Sequence, residues 1–186
     1  MFTFSSLSSR SMKRLILHII IIFFGHESQK LYPQSINTDR LELGGRIFSS
    51  GKYLIDREYG LHLLDSDETQ IDTIFIAVHG FQSQGYEWVY ALKKMTASNN
   101  ITYFYRWDWN ECPDVASIAL HKEIQKLLIS KPEINHVNIF GHSYGGNIVT
   151  GIMNKPDLGS LEIHSVAGAL MPMKRHKKRC PNFIGF

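Results

Sequence analysis

The sequence predicts an α/β fold, a mostly parallel sheet with helices on both faces. Three observations carry that expectation. Between Thr73 and Leu170, four apolar runs alternate with segments of helical period. The first run, "TIFIAVHG", is continuously apolar, as in a strand buried on both faces. The chain also has the means to build a core, with 186 residues, 44% hydrophobic and 20% charged. Strands that alternate with helices join as parallel neighbours, because each crossover helix packs back onto the sheet.

At the N-terminus, Lys13 and Arg14 precede an almost wholly apolar run, Leu15 to Phe24. Basic residues before a short apolar run predict that residues 1–25 are a signal peptide and that the chain is exported, periplasmic or secreted. Met12 is an alternative start. The run falls short of the ~20 residues of a confident membrane span, so anchoring through it is the alternative to cleavage. Residue 26 is His26, not the cysteine that lipidation requires. Residues 26–45 are polar, contain Pro33, Gly44 and Gly45, and read as a linker.

A domain is expected over residues 46–173. Its start, residues 46–64, carries aromatic and β-branched residues around Gly51 and Gly60, which predict one or two leading strands. "TIFIAVHG" is the first strong strand, and Tyr86 to Met95 a helix. "ITYFYRW" from Ile101 is the second strand. Asp114, after Pro113, suits a helix N-cap. Val115, Ile118, Leu120, Ile124, Leu127 and Leu128 then form one helical stripe. "HVNIFG" is the third strand. Tyr144 to Met153 is a helix stopped before Pro156, and Leu161 to Leu170 the fourth strand. Residues 174–186 form a basic tail.

Charge and cysteine content exclude some functions. The net charge of +3 owes much to Lys174, Arg175, Lys177, Lys178 and Arg179, so there is no broad basic face for nucleic acid. The two cysteines, Cys112 and Cys180, make neither a disulfide framework nor a metal pattern. They read as ordinary thiols, with a single bridge left open. No metal or organic cofactor is implied.

Two motifs carry chemistry. Gly141-His142-Ser143-Tyr144-Gly145 fits Gly-x-Ser-x-Gly between a buried strand and a helix. That context places a nucleophilic serine on a strained strand-to-helix turn. Its glycines let strand and helix approach closely. The second motif is His79-Gly80-Phe81, directly after the first strong strand. With both motifs and the alternation between them, roughly residues 70–170 resemble the α/β-hydrolase superfamily of esterases, lipases and related acyl hydrolases. The resemblance implies that Ser143 attacks a carboxylic ester and that the backbone N–H groups of Phe81 and Tyr144 form the oxyanion hole. It makes His79 and Gly80 residues of the oxyanion turn. It makes Gly141 and Gly145 supports of the elbow, with the His142 side chain turned away to pack on a neighbouring strand. Tyr105, Trp107 and Trp109 either line an acyl pocket or pack in the core.

The rest of a catalytic triad is not identifiable. The family order is serine, acid, histidine. Asp108 precedes the serine. After it come the acids Asp157 and Glu162 and the histidines His164 and His176, and no pair suits the family geometry. Four strong strands and one or two leading ones also fall short of the eight or so that the resemblance implies. The expectation is a C-terminally truncated or frame-shifted α/β hydrolase. A native basic arm for anionic lipid head groups, touching a membrane surface through residues 174–179, and a docking tail are the alternatives. The expected partner is a small acyl-ester or lipid substrate, with oligomeric state left open. The competing reading is a catalytically impaired fragment or a non-catalytic acyl- or lipid-binding protein.

Overall fold

The structure is a computed structural model and describes residues 35–65, 70–98 and 100–168. The expected signal peptide, His176 and the basic tail lie outside these residues. Among the described residues there are five strands: β1 (Gly60–Leu63), β2 (Gln70–Val78), β3 (Asn100–Arg106), β4 (His136–His142) and β5 (Ser160–Val166). Four α-helices accompany them among the described residues: α1 (Ile47–Ile55), α2 (Tyr86–Ala97), α3 (Pro113–Ser130) and α4 (Gly145–Thr150). The strands form one sheet in the order β1-β3-β2-β4-β5. All neighbours are parallel except β1, which runs antiparallel to β3.

Alternate side chains of β2 feed two cores, as the period of a strand dictates. Ile74, Ile76 and Val78 join Ala116, Leu120, Ile124 and Leu127 of α3 and Ile148 and Val149 of α4. On the other face, Ala77 and Phe104 join Leu54 of α1 and Trp88, Val89 and Leu92 of α2. Helices therefore cover both faces. The sheet also explains why β2 is continuously apolar from Ile74 to Val78, since it has a strand on each side and a core above and below.

Four expectations change. Residues 46–64 begin with a helix, not a strand. One side of α1 buries Ser50, Gly51 and Leu54, and Lys52 pairs with Asp56 one turn on at 2.6 Å. Packing of that helical face overrides the β-branched content, and only the four residues of β1 remain extended. The described part of the linker is not a linker. Ile36 and Leu41 are completely buried, and the Ile36 N–H donates to the Leu63 carbonyl at 2.8 Å. The Glu42 N–H donates to the Ser50 hydroxyl at 2.7 Å, so this segment is stitched to α1. The N-cap of α3 is Cys112, with Pro113 at its start and Asp114 in the first turn, where a carboxylate suits the helix dipole. Cys112 is not a thiol but is disulfide-bonded.

Candidate active site

The chain leaves β2 for β3 on one side and later reaches β4 on the other. Such a switch point opens a crevice beyond the carboxyl ends of the strands, where ligands bind in parallel sheets. Val78 pairs in register with Gly141, so the turns after β2 and β4 stand level. The first carries His79, Gly80 and Phe81; the second carries Ser143 and Tyr144.

Ser143 adopts φ 51°, a left-handed conformation that non-glycine residues rarely take. Such strain costs on the order of 1–3 kcal/mol and persists only where the surroundings impose it. The Ser143 N–H donates to the Val166 carbonyl at 3.0 Å, and the Ser143 carbonyl accepts from the Gly146 N–H at 3.0 Å. The flanking glycines leave no room for anything larger. A Cβ on Gly141 would lie 2.5 Å from the Gly145 carbonyl oxygen, and one on Gly145 would lie 2.6 Å from that of Val78. Gly80 abuts the serine itself, since a Cβ there would lie 3.0 Å from the Ser143 Cβ and 3.5 Å from its Oγ. The two motifs thus meet at Ser143.

His79 is completely buried. Its Nδ1 is 2.8 Å from the Gly80 carbonyl oxygen, and its Nε2 accepts from the Trp107 N–H at 3.1 Å. The Trp107 indole N–H donates to the His79 carbonyl at 2.7 Å. Burial, helped by the neighbouring Arg106 charge, lowers the His79 pKa to about 3. It is a neutral clamp, with both ring nitrogens engaged.

Phe81 meets Tyr144 edge-on at 6.5 Å, and Tyr144 stacks on Trp107 at 6.4 Å. Tyr105 and Trp107 belong to the buried core, and the Tyr105 hydroxyl donates to the Ala116 carbonyl at 3.4 Å. Trp109 is only partly buried and stands edge-on to His79 at 6.1 Å. His142 points away from the turn toward Trp88, their rings edge-on at 6.4 Å, and its Nδ1 is buried without a hydrogen-bond partner.

The remaining triad candidates are not brought to Ser143. Asp108 closes a local turn, its Oδ1 accepting from the Asn110 N–H at 2.9 Å and side-chain amide at 3.0 Å. Asp157 is exposed on the connection from α4 to β5. There the Ser160 N–H bonds the Asn135 carbonyl at 3.0 Å, at the start of β4. Asp157 therefore lies at the opposite end of the sheet, about 20 Å away along seven residues of strand. His164 lies flat on the sheet face, stacked on Phe140 at 4.4 Å with Glu162 3.8 Å from its Nε2. Among the described residues, no histidine is hydrogen-bonded to Ser143. Nor do three His, Cys, Asp or Glu side chains among them gather to hold a metal ion. No described helix is long and apolar enough to cross a membrane.

Arg106 is a residue of this neighbourhood that sequence reasoning does not find. An arginine at the end of an apolar strand reads as its solvated stop. Here it is buried, with Trp109 and Tyr59 against its guanidinium at 4.7 and 5.0 Å. The aromatic residues around it in "YRWDW" are the one available signal. Comparison with known protein families, curated proteins and solved structures finds no match for this chain.

Proposed function

We propose that the chain is a serine hydrolase of the α/β-hydrolase type that acts on a carboxylic ester with a small acyl or lipid group. Ser143 attacks the carbonyl, and the backbone N–H groups of Phe81 and Tyr144 receive the oxyanion. The observation that carries the reading is the strained φ of Ser143 at the carboxyl end of β4, with Gly80 packed against its side chain. Gln82, Asp157 and Ala167 also hold a positive φ, so it is the place of Ser143, where the two motifs meet, that gives its conformation weight. The strand order, with both motifs at its switch point, supports the same reading. The export expectation is supported by the disulfide at Cys112, since such bonds persist in oxidising compartments.

A second reading, a non-catalytic acyl- or lipid-binding protein, is favoured by one observation: no described histidine is placed to take the Ser143 proton. An oxyanion hole without a base retains only ~1,000-fold acceleration over water. Labelling with a fluorophosphonate probe separates the two. The hydrolase labels at Ser143, and Ser143→Ala abolishes labelling. A folded wild-type chain that stays unlabelled refutes the enzyme and leaves the binder.

A further inference from the structure

We infer that Arg106 is a positioning residue for the oxyanion hole: through the His79 ring it sets the direction in which the Phe81 N–H points. The inference rests on the hydrolase reading for its purpose, while its geometry stands apart from it.

Arg106 is 6% exposed, and a buried guanidinium needs a reason to stay. Its Nε donates to the Ile55 carbonyl at 2.9 Å, and its Nη1 to the Trp107 carbonyl and to His79 Nε2, the latter at 3.2 Å. A guanidinium has donors only. His79 Nε2 must therefore be the acceptor, and the Trp107 N–H reaches the same atom at 3.1 Å. A ring nitrogen that receives two donors carries no proton of its own. The proton sits on Nδ1, which donates to the Gly80 carbonyl at 2.8 Å.

The final link is the peptide bond. The Gly80–Phe81 unit is trans and planar, so its C=O and N–H point in opposite directions. Holding the Gly80 oxygen toward His79 turns the Phe81 N–H to the other side of the peptide plane. Gly80 itself touches Ser143, so a tilt of this unit is felt at the nucleophile. Were the proton on Nε2, Nδ1 and the Gly80 oxygen would be two acceptors facing one another, and the unit would turn. Arg106 and the Trp107 N–H together exclude that tautomer.

The test uses the full chain and two readouts. Long-range proton–nitrogen NMR reads the His79 tautomer directly. The wild type should show the Nδ1–H form, and an Nε2–H form overturns the inference. The second readout is fluorophosphonate labelling of Ser143, resolved into probe affinity and maximal rate. Arg106→Met should slow the maximal rate roughly 10- to 100-fold, with affinity little changed, since oxyanion donors act on the transition state. Arg106→Lys, which keeps a donor, should recover part of it, and it serves alone if Arg106→Met does not fold. Labelling at the wild-type rate in a folded variant overturns the inference. If the wild type does not label at all, the hydrolase reading has failed. The relay is then judged on the Phe81 amide resonance, which must move in the Arg106 variant; an unmoved resonance refutes it.

Discussion

At the scale of single residues, the site depends on groups that no substitution can imitate. Gly145 is the clearest case. A methyl group there meets the backbone carbonyls of Val78 and His79 at 2.6 and 2.7 Å, and backbone cannot step aside as a side chain can. Gly145→Ala should lower unfolding free energy by about 1–3 kcal/mol, in the range of other overpacked sites, and abolish labelling of Ser143. A urea midpoint within error of wild type refutes the close approach. His79 yields a prediction of opposite character, because its effect depends on pH. Its pKa is about 3 in the folded chain and ordinary, near 6.5, when unfolded. The unfolded chain therefore binds the extra proton between those values. The contribution to stability is fully present above pH 6.5 and is lost as pH falls toward 3. Over that window the wild type should lose about 1.4 kcal/mol per pH unit more than His79→Gln, read from urea titrations. Parallel pH profiles refute the assignment.

At the scale of elements, what the sequence makes legible is what repeats along it. β2, β3, β4 and β5 and the helices that begin at Tyr86 and Pro113 follow from apolar period, and they stand within a few residues of expectation. Elements whose burial is set by distant partners are not legible. α1 is helical because Gly51 and Leu54 meet the α2 layer, and Ile36 is buried because it bridges to Leu64, contacts that no local window contains. Ser143, Gly141 and Gly145 were legible because tight turns need particular residue types. Arg106 was not, since its role depends on a histidine 27 positions earlier in the chain. α3 shows what a legible stripe is worth. Leu120 is completely buried in the core with Ile139 and Ile148, and Leu120→Ala should cost about 2–5 kcal/mol. A loss under ~1 kcal/mol in a denaturant titration would mean that α3 is not seated on the sheet. Ser117 adds a polar anchor to the same helix, its hydroxyl donating to the Ile148 carbonyl of α4 at 2.9 Å.

At the scale of the whole molecule, the sheet is uneven. β2 is bonded on both sides, while β5 pairs with β4 alone among the described residues. β5 is also half-exposed on its faces, with Val166 45% exposed. Hydrogen exchange should follow this gradient, slowest for β2 amides and fastest, among strands, for β5. Equal protection in the two strands would mean that β5 is covered on its free edge. The gradient has a bearing on the site, because the Val166 carbonyl at the end of β5 holds the Ser143 N–H. Local opening of the least protected strand would release one of the two backbone bonds that fix the elbow.

The switch point has one more consequence, and it concerns time. Gly80 and Ser143 are brought together only when β4 has aligned on β2. Both belong to short motifs, and the contact between the motifs exists only in the assembled sheet. No growing chain has a site until the second motif has emerged and docked, and no partly folded one keeps it once those strands separate. If the chain is the hydrolase proposed, labelling of Ser143 would gauge completed folding as well as chemistry, and an unfinished chain would be silent.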